Sequence, residues 1–185
     1  MASPTPEIRS LLRNILLSRK DVAFLACQQR AKFEGWLKFE LASALYRSSG
    51  FEKIIIEDSY TTNGRSDISF EFDGAKWFIE IKTANTNWRA ENLENLTRPV
   101  TRNMDGIVED IIVLREKSAP AHGLAVFCIF PVPDRLWKNT REQLKYHLRR
   151  IEETGKLFEN TLVDNAEFVA TTDTFGICTF VVEVA

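Results

Sequence analysis

The sequence predicts an α/β fold with a mixed central sheet flanked by helices, and three patterns lead to this fold class. They are a β-hairpin over residues 66–83, a continuous apolar run at Leu124–Phe130, and amphipathic stretches before and after both. A continuous apolar strand is typical of a sheet that is covered on both faces, and amphipathic helices provide that cover. At 185 residues the chain is long enough for one domain with a buried core, so we expect a single domain over residues 1–185.

The elements before the hairpin are predicted to be two helices and one strand. Thr5 can cap the first helix, and Pro6 can occupy its first turn. The second helix should end at Ser48-Ser49-Gly50, because glycine supplies the usual helix exit. The predicted ranges are a helix over Thr5–Leu17, a helix over residues 21–46 whose stronger half is Phe33–Tyr46, and a strand over Ile54–Ile56.

The hairpin is the strongest local signal in the chain. Asp73-Gly74 separates two alternating runs of β-forming residues, and this dipeptide favours a two-residue loop. With that loop Phe72 pairs with Ala75, and the same register sets Asp67 directly opposite Glu80. Alternation along the strands then predicts one apolar face and one polar face. The apolar face carries Ile68, Phe70, Phe72, Trp77, Ile79 and Ile81, and the polar face carries Asp67, Ser69, Glu80 and Lys82.

After the hairpin the chain is predicted to alternate again between helix and strand. An irregular polar stretch over residues 84–102 precedes apolar residues at helical spacing over Ile107–Leu114. The run Leu124–Phe130 lies between Gly123 and Pro131 and is expected deep in the sheet. The remaining predicted elements are a helix over Asn139–Glu153 and closing strands over Glu167–Ala170 and Ile177–Val184.

Bulk composition excludes several classes of protein. The chain is 44% hydrophobic with a net charge of −2, which indicates a globular protein and argues against one that coats nucleic acid by charge alone. Cys27, Cys128 and Cys178 are widely spaced in apolar surroundings, which predicts reduced core thiols and a cytoplasmic location. No apolar run approaches the ~18 residues of a membrane span, so no membrane association is expected.

The two opposed carboxylates of the hairpin are the candidate site. Like charges directly opposite each other on paired strands are destabilising. Mg²⁺ is held by one or two carboxylates together with water and substrate phosphate, so a divalent cation between Asp67 and Glu80 would replace repulsion with coordination. The alternative is a solvated hairpin face on which Asp67 pairs with Arg65 or Lys82. A sheet covered on both faces favours the functional interpretation, because charges in its middle strands would be partly buried.

The order of these residues resembles a known family. An acidic residue on a leading helix, then Asp on one strand and Glu-x-Lys on the next, resembles the PD-(D/E)XK nuclease superfamily, which has the restriction-endonuclease-like fold. Ser66 stands where the proline that names the motif would be. The resemblance implies an αβββαβ core over about residues 33–130, with helices and strands added at both ends. The residues that carry it are Glu40, Asp67, Glu80 and Lys82.

The resemblance implies a function as well as a fold. It implies a bacterial, metal-dependent nuclease, an endonuclease that hydrolyses the phosphodiester bonds of nucleic acid, with DNA as the expected substrate. Mg²⁺ or Mn²⁺ would be held by Asp67, Glu80 and the backbone carbonyl of Ile81, with Glu40 nearby, and would lower the pKa of a bound water. Lys82 would position that water or stabilise the charge that develops on phosphorus.

Two acidic residues compete for the helical position of the site. Glu40 lies on or beside the apolar stripe that should face the sheet, so we assign it to the site. The alternative is that Glu40 sits at the edge of the stripe and reaches water. Glu34 stands four residues before Lys38, the favourable orientation for an exposed pair, and is predicted to be a surface charge outside the site.

Two further regions could contact nucleic acid. The polar stretch after the motif could stack an aromatic ring on a base and bind phosphates, although Trp88 could equally pack on the core. The C-terminal helix carries a basic stripe that could follow a nucleic-acid backbone, although most such stripes are only solvated faces. The candidates are Trp88, Arg89, Arg98 and Arg102 in the first region, and Arg141 and Lys145 in the second.

Two other interpretations of the chain stay open at this point. The first is a catalytically silent module of the same fold that binds nucleic acid or a protein partner. The second is an unrelated α/β protein whose hairpin charges are ordinary surface. A homodimer stays open for the protein under any of these interpretations. Metal binding separates the second alternative from a nuclease, and turnover separates the first.

Overall fold

The chain forms an α/β fold in which a six-stranded mixed sheet carries helices on both faces. The computed structural model describes residues 2–60, 64–91, 93, 100–140, 142–159 and 161–184. The helices are α1 (Thr5–Ser18), α2 (Lys20–Gln29), α3 (Glu34–Arg47), α4 (Val100–Ser118), α5 (Glu142–Thr154) and α6 (Thr161–Asn165), and a π-helical turn spans Leu136–Thr140. The strands are β1 (Phe51–Ile56), β2 (Ile68–Phe72), β3 (Ala75–Asn85), β4 (His122–Pro133), β5 (Glu167–Ala170) and β6 (Phe175–Val184).

The strands lie in the order β1-β2-β3-β4-β6-β5. All neighbouring pairs are antiparallel except β3 and β4, which are parallel and are connected through α4. In the hairpin of β2 and β3, Phe72 pairs with Ala75 and Ile68 pairs with Ile79. The predicted hairpin register is therefore confirmed, and it brings Asp67 and Glu80 to facing positions.

The core consists of two layers, one on each face of the sheet. Helices α1, α2 and α3 cover the face that carries Ile68 and Ile79 of the hairpin. Helices α4, α5 and α6 cover the other face. Strand β4 contributes Val126 to the first layer and Phe127 to the second, and both are buried, which confirms the prediction from its continuous apolar run. The three cysteines are buried thiols in these layers, as predicted.

The predicted helix over residues 21–46 is wrong, because the structure divides it into α2 and α3. Arg30 adopts a left-handed conformation with a φ of 49° and ends α2. Its buried guanidinium donates to the backbone carbonyl oxygen of Trp88 at 3.2 Å and also to that of Thr86. The break between α2 and α3 thus lets the side chain of Arg30 hold the backbone of the residues that follow β3. No local sequence pattern could have revealed this contact between distant segments.

Smaller differences concern the ends of elements. Pro4, not Thr5, is the cap residue of α1, and the hydroxyl of Thr5 instead donates to Glu183 at 3.0 Å. Strand β1 begins at Phe51, ahead of the predicted Ile54, and α6 had no counterpart among the predicted elements. Among the described residues, no helix combines the length and the hydropathy that a membrane crossing requires.

Candidate functional site

The candidate residues of the hairpin lie where β2 has ended and β3 continues. Strand β2 starts at Ile68, opposite Ile79, whereas β3 runs on to Asn85 with β4 along its other side. The edge of β3 that faces β2 is therefore open to side chains over its last residues. Helix α3 approaches this edge from one face of the sheet, and α4 approaches it from the other.

Two carboxylates accept the backbone N–H groups that β2 leaves open on β3. Asp67 accepts the N–H of Ile81 at 2.8 Å through Oδ2. Glu34, in the first turn of α3, accepts the N–H of Thr83 at 2.9 Å. Backbone N–H groups need an acceptor when they are buried, so each carboxylate has a structural role at this edge. Glu34, which the sequence placed on the surface outside the site, is thus brought to the candidate site.

Glu80 is a partly buried carboxylate that accepts a hydrogen bond from the hydroxyl of Tyr60. Burial raises the pKa of Glu80 to about 7, and the negative charges of Asp67 and Asp110 add to this rise, while the hydrogen bond from Tyr60 opposes it. Burial and the same carboxylate raise the pKa of Tyr60 far above its ordinary value, so its hydroxyl keeps its proton and acts as a donor.

Lys82 forms an ion pair with Asp110 of α4, with 2.8 Å between Nζ and Oδ2. Burial lowers the pKa of Lys82, but the hydrogen bond and charge of Asp110 outweigh this effect and hold the pKa above its ordinary value. Burial raises the pKa of Asp110 despite the opposing effect of Lys82. The lysine of the motif is therefore charged and is held by a helix on the far side of the sheet from α3.

A second lysine, Lys38 of α3, lies on the other side of Asp67. Its ammonium is 2.9 Å from Glu57 and 3.4 Å from Oδ1 of Asp67, and its side chain is only 14% exposed. The hydrogen bond to Glu57 is the main reason that the pKa of Lys38 is raised. The sequence predicted a pair of Lys38 with Glu34, and the structure instead pairs Lys38 with residues outside α3.

Together these residues form a group with an excess of negative charge. We refer to Glu34, Asp67, Glu80 and Asp110 as the carboxylate cluster. Three ammonium groups, those of Lys32, Lys38 and Lys82, contact it. Four carboxylates against three ammonium groups leave the ionised cluster with an excess of negative charge that a divalent cation would offset.

The cluster fits Mg²⁺ or Mn²⁺ in the chemistry of its donors. Carboxylate oxygens are the ligands that these hard cations prefer, and two carboxylates are enough when water and substrate supply the rest. Among the described residues, no three His, Cys, Asp or Glu side chains converge into a preformed metal-binding group. A cation at Asp67 and Glu80 would therefore take its remaining ligands from the backbone, from water and from substrate.

Glu40, the helical residue that the sequence assigned to the site, faces elsewhere. It lies 3.8 Å from Arg19, at the junction of α1 and α2. Two residues along an α-helix correspond to a rotation of about 200°, so Glu40 projects from the side of α3 opposite to Lys38, which contacts Asp67. The helix therefore presents Glu34 and Lys38 to the cluster and turns Glu40 away from it.

The residues proposed to contact nucleic acid are placed separately from one another. Trp88 is 9% exposed and packs in the core, 6.2 Å between ring centroids from His147. Arg89 and Arg102 are exposed, and Lys145 pairs with Glu142 at 3.3 Å. Arg98 and Arg141 lie outside the described residues. Of this set, the exposed arginines remain available to a ligand.

Two clefts lie beside the segment that follows β3, and neither is lined by the carboxylate cluster. One, of about 460 Å³, is lined by Arg89, Arg135 and Asp173 among others. The other, of about 670 Å³, lies between Trp88 and Tyr146.

The structure adds residues to the site that sequence reasoning had left out. Asp110 lies beside the buried apolar stripe of α4. An acidic residue in that position could have been predicted to face the sheet from the helical spacing alone. Tyr60 belongs to the connection between β1 and β2, where no periodicity could indicate that its ring is buried.

No family model, curated protein or solved structure matches this chain. The resemblance to the PD-(D/E)XK superfamily therefore depends on this chain's own residues and order of elements, and function has to be argued from the geometry and charge of the cluster.

Proposed function

We propose that the protein is a metal-dependent nuclease that hydrolyses phosphodiester bonds in nucleic acid, with DNA as the expected substrate. The observation that carries this proposal is the uncompensated charge of the carboxylate cluster. Asp67 and Glu80 face each other across the hairpin, Asp110 lies close by, and burial with these neighbours raises the pKa of Glu80 to about 7. Carboxylates this close repel one another when they are ionised, and a bound divalent cation would offset that repulsion.

The residues of the cluster have separate roles in this proposal. Asp67, Glu80 and the carbonyl of Ile81 would hold Mg²⁺ or Mn²⁺, which supplies an activated water and neutralises charge on the scissile phosphate. Tyr60 orients the carboxylate of Glu80 through its hydroxyl. Lys82 directs an ammonium toward the charge that develops on phosphorus, and such a group is most effective in a partly dry site.

The order of elements supports the proposal independently of the cluster. The segment α3-β1-β2-β3-α4-β4 follows the αβββαβ order that the resemblance implies, and the pairing of β3 with β4 is parallel. The candidate residues come from the two central strands of this segment and from the helices on either side. Cytoplasmic location rests on the reduced cysteines, and a bacterial source rests on the resemblance alone.

A catalytically silent module is the second candidate, and one observation favours it. Each carboxylate of the cluster already has a partner within the protein: Glu34 has Lys32, Asp67 has Lys38, Glu80 has Tyr60 and Asp110 has Lys82. A set of side chains that satisfies itself in this way can hold a sheet edge together without turnover. The two candidates differ in turnover, which the silent module lacks.

Cleavage of a mixed nucleic-acid panel tests the proposal. Supercoiled, linear, single-stranded and branched DNA and an RNA are incubated with the protein in Mn²⁺, Mg²⁺ or EDTA. We expect metal-dependent cleavage that is lost in Glu80→Gln and Lys82→Ala, with Mn²⁺ binding retained in Lys82→Ala. Glu71→Gln is the matched control, because Glu71 lies on the same hairpin but pairs with exposed Lys53 at 2.8 Å.

Two outcomes would contradict the nuclease. Undiminished cleavage by Glu80→Gln would mean that the activity arises elsewhere or from a contaminant. Absence of cleavage across the whole panel in the wild type would favour the silent module.

A further inference from the structure

We propose that one flank of α4, formed by Gly106 and Asp110, positions the ammonium of Lys82 and so belongs to the active site. The inference rests on the proposed nuclease function and deepens it, because it names the residues that hold the ammonium of Lys82 in place. Neither residue contacts the reacting atoms in this account. Both are positioning residues that act through Lys82.

The contacts come from two residues that are one helical turn apart. Asp110 Oδ2 lies 2.8 Å from Nζ of Lys82. A Cβ atom placed on Gly106 would lie 3.3 Å from Cε of Lys82, which is tighter than ordinary van der Waals contact. Because residues four apart lie on the same face of a helix, the glycine makes room for the lysine stem and the aspartate binds its end.

Space for Lys82 is the local feature that accounts for a glycine at position 106. Gly106 does not have a positive φ, so no special backbone conformation demands it. Glycine is also among the least favourable residues for a helix interior. An alanine there would favour the helix and would press on Lys82.

The same flank of α4 follows β3 farther along the strand. Asn103, three residues before Gly106, donates its side-chain amide to the backbone carbonyl of Asn85 at 2.7 Å. The flank thus contacts the polar groups of β3 at both Lys82 and Asn85, while the apolar stripe of α4 packs on the core. This alignment fixes the rotation of α4, and with it the position of Asp110.

A lysine needs such support more than most residues do. Its four-carbon stem is flexible and its ammonium is a point charge without directional preference. Lys82 stands two residues from Glu80 on one face of β3, where it could neutralise that carboxylate directly. The ion pair with Asp110 keeps the ammonium of Lys82 near Glu80. The carboxylate of Glu80 meanwhile accepts its hydrogen bond from the hydroxyl of Tyr60. Small displacements of a positioned group have large effects on rate.

Substitution of two helical glycines tests the inference. In Gly106→Ala we expect kcat to fall at least ten-fold, with KM and Mn²⁺ affinity within about two-fold of wild type and no loss of stability in urea unfolding. Gly35→Ala is the matched control, because Gly35 lies in α3 and nothing lies within 4 Å of an added Cβ. Gly35→Ala should leave kcat unchanged. A Gly106→Ala variant with full kcat would overturn the inference.

Variants of Asp110 provide the second arm. Asp110→Asn should lower kcat without raising KM in proportion, and Asp110→Glu should recover part of the loss, which a role in folding alone would not explain. A double-mutant cycle of Asp110→Asn and Lys82→Met in urea unfolding measures the coupling without any activity. An additive cycle would overturn the pairing.

The failure of this inference differs from the failure of the proposed function. A wild type that cleaves while Gly106→Ala and Asp110→Asn keep full kcat removes α4 from the site and leaves the nuclease intact. A wild type that cleaves nothing overturns both.

Discussion

Asp67 accepts the backbone N–H of Ile81 at 2.8 Å, directly beyond the last residue pair that β2 forms with β3. The carboxylate supplies the acceptor that a longer β2 would supply from its backbone. Its other oxygen lies 3.4 Å from the ammonium of Lys38. Asp67 therefore has a structural role and, in the proposed function, a role that depends on its charge, and substitution can separate the two.

Asparagine and alanine at position 67 should have different effects on stability. Asp67→Ala removes the acceptor of the N–H of Ile81, so we expect the free energy of unfolding to fall by about 1–3 kcal/mol. Asp67→Asn keeps an acceptor oxygen, and its loss should be under about 1 kcal/mol. Both variants should lose Mn²⁺ affinity. Urea unfolding followed by tryptophan fluorescence measures the first effect, and equal losses in the two variants would contradict the role of the hydrogen bond.

The raised pKa of Glu80 predicts an unusual dependence of stability on pH. Burial, together with Asp67 and Asp110, raises this pKa from 4.5 to about 7. A carboxyl that binds its proton more tightly when folded stabilises the protein fully below pH 4.5, and this contribution is lost as the pH rises through about 7. Glu80→Gln cannot ionise, so we expect it to be more stable than wild type at pH 8, by on the order of 1–3 kcal/mol.

Urea unfolding at pH 5 and pH 8 measures this difference. The advantage of Glu80→Gln over wild type should be large at pH 8 and small at pH 5. Glu71→Gln, on the exposed side of the same hairpin, should show no such change between the two values. The same difference at both values would mean that the pKa of Glu80 is not raised.

Divalent cations should reverse the loss of stability at pH 8. A ligand that binds only the folded state adds about 2.7 kcal/mol at a hundred times its Kd, which for a chain of this size raises Tm by roughly 5–10 °C. We expect Mn²⁺ to raise the Tm of wild type, and Asp67→Asn and Glu80→Gln to abolish the rise. EDTA should return the wild-type Tm to its starting value. A rise that persists in both variants would place the cation outside the cluster.

Local chemistry explains what the sequence could predict of the fold and the site. Asp73-Gly74 determines the hairpin loop, the loop determines the register, and the register sets Asp67 against Glu80. The continuous apolar run of β4 likewise indicated its burial on both faces. In both cases neighbouring residues carry the whole signal.

The parts that the sequence could not predict depend on contacts between distant elements. Arg30 ends α2 because its side chain reaches the backbone beyond β3, and this break changes where α3 begins. Because β3 extends beyond the start of β2, the N–H of Thr83 has no acceptor on β2, and Glu34 is the acidic residue of α3 that accepts it. Asp110 reaches Lys82 only because α4 crosses the same strand from the other face.

The choice between Glu34 and Glu40 is where this limit matters most for function. Both side chains are 34% exposed, so burial does not distinguish them. Glu34 accepts the N–H of Thr83 at 2.9 Å, whereas Glu40 lies 3.8 Å from Arg19. Glu34→Ala should therefore lower the free energy of unfolding by about 1–3 kcal/mol, and Glu40→Ala by under about 0.5 kcal/mol, as for an exposed ion pair.

Activity of the glutamine variants decides which residue belongs to the site. Glu34→Gln keeps an acceptor for Thr83 but removes a charge that acts on Lys82 and Asp110, so we expect kcat to fall with little loss of stability. Glu40→Gln should cleave as wild type does, because Glu40 points toward Arg19 and away from the cluster. Initial rates at saturating substrate, with unfolding measured on the same preparations, provide the comparison. A loss of kcat confined to Glu40→Gln would show that the residue favoured by the sequence is the functional one.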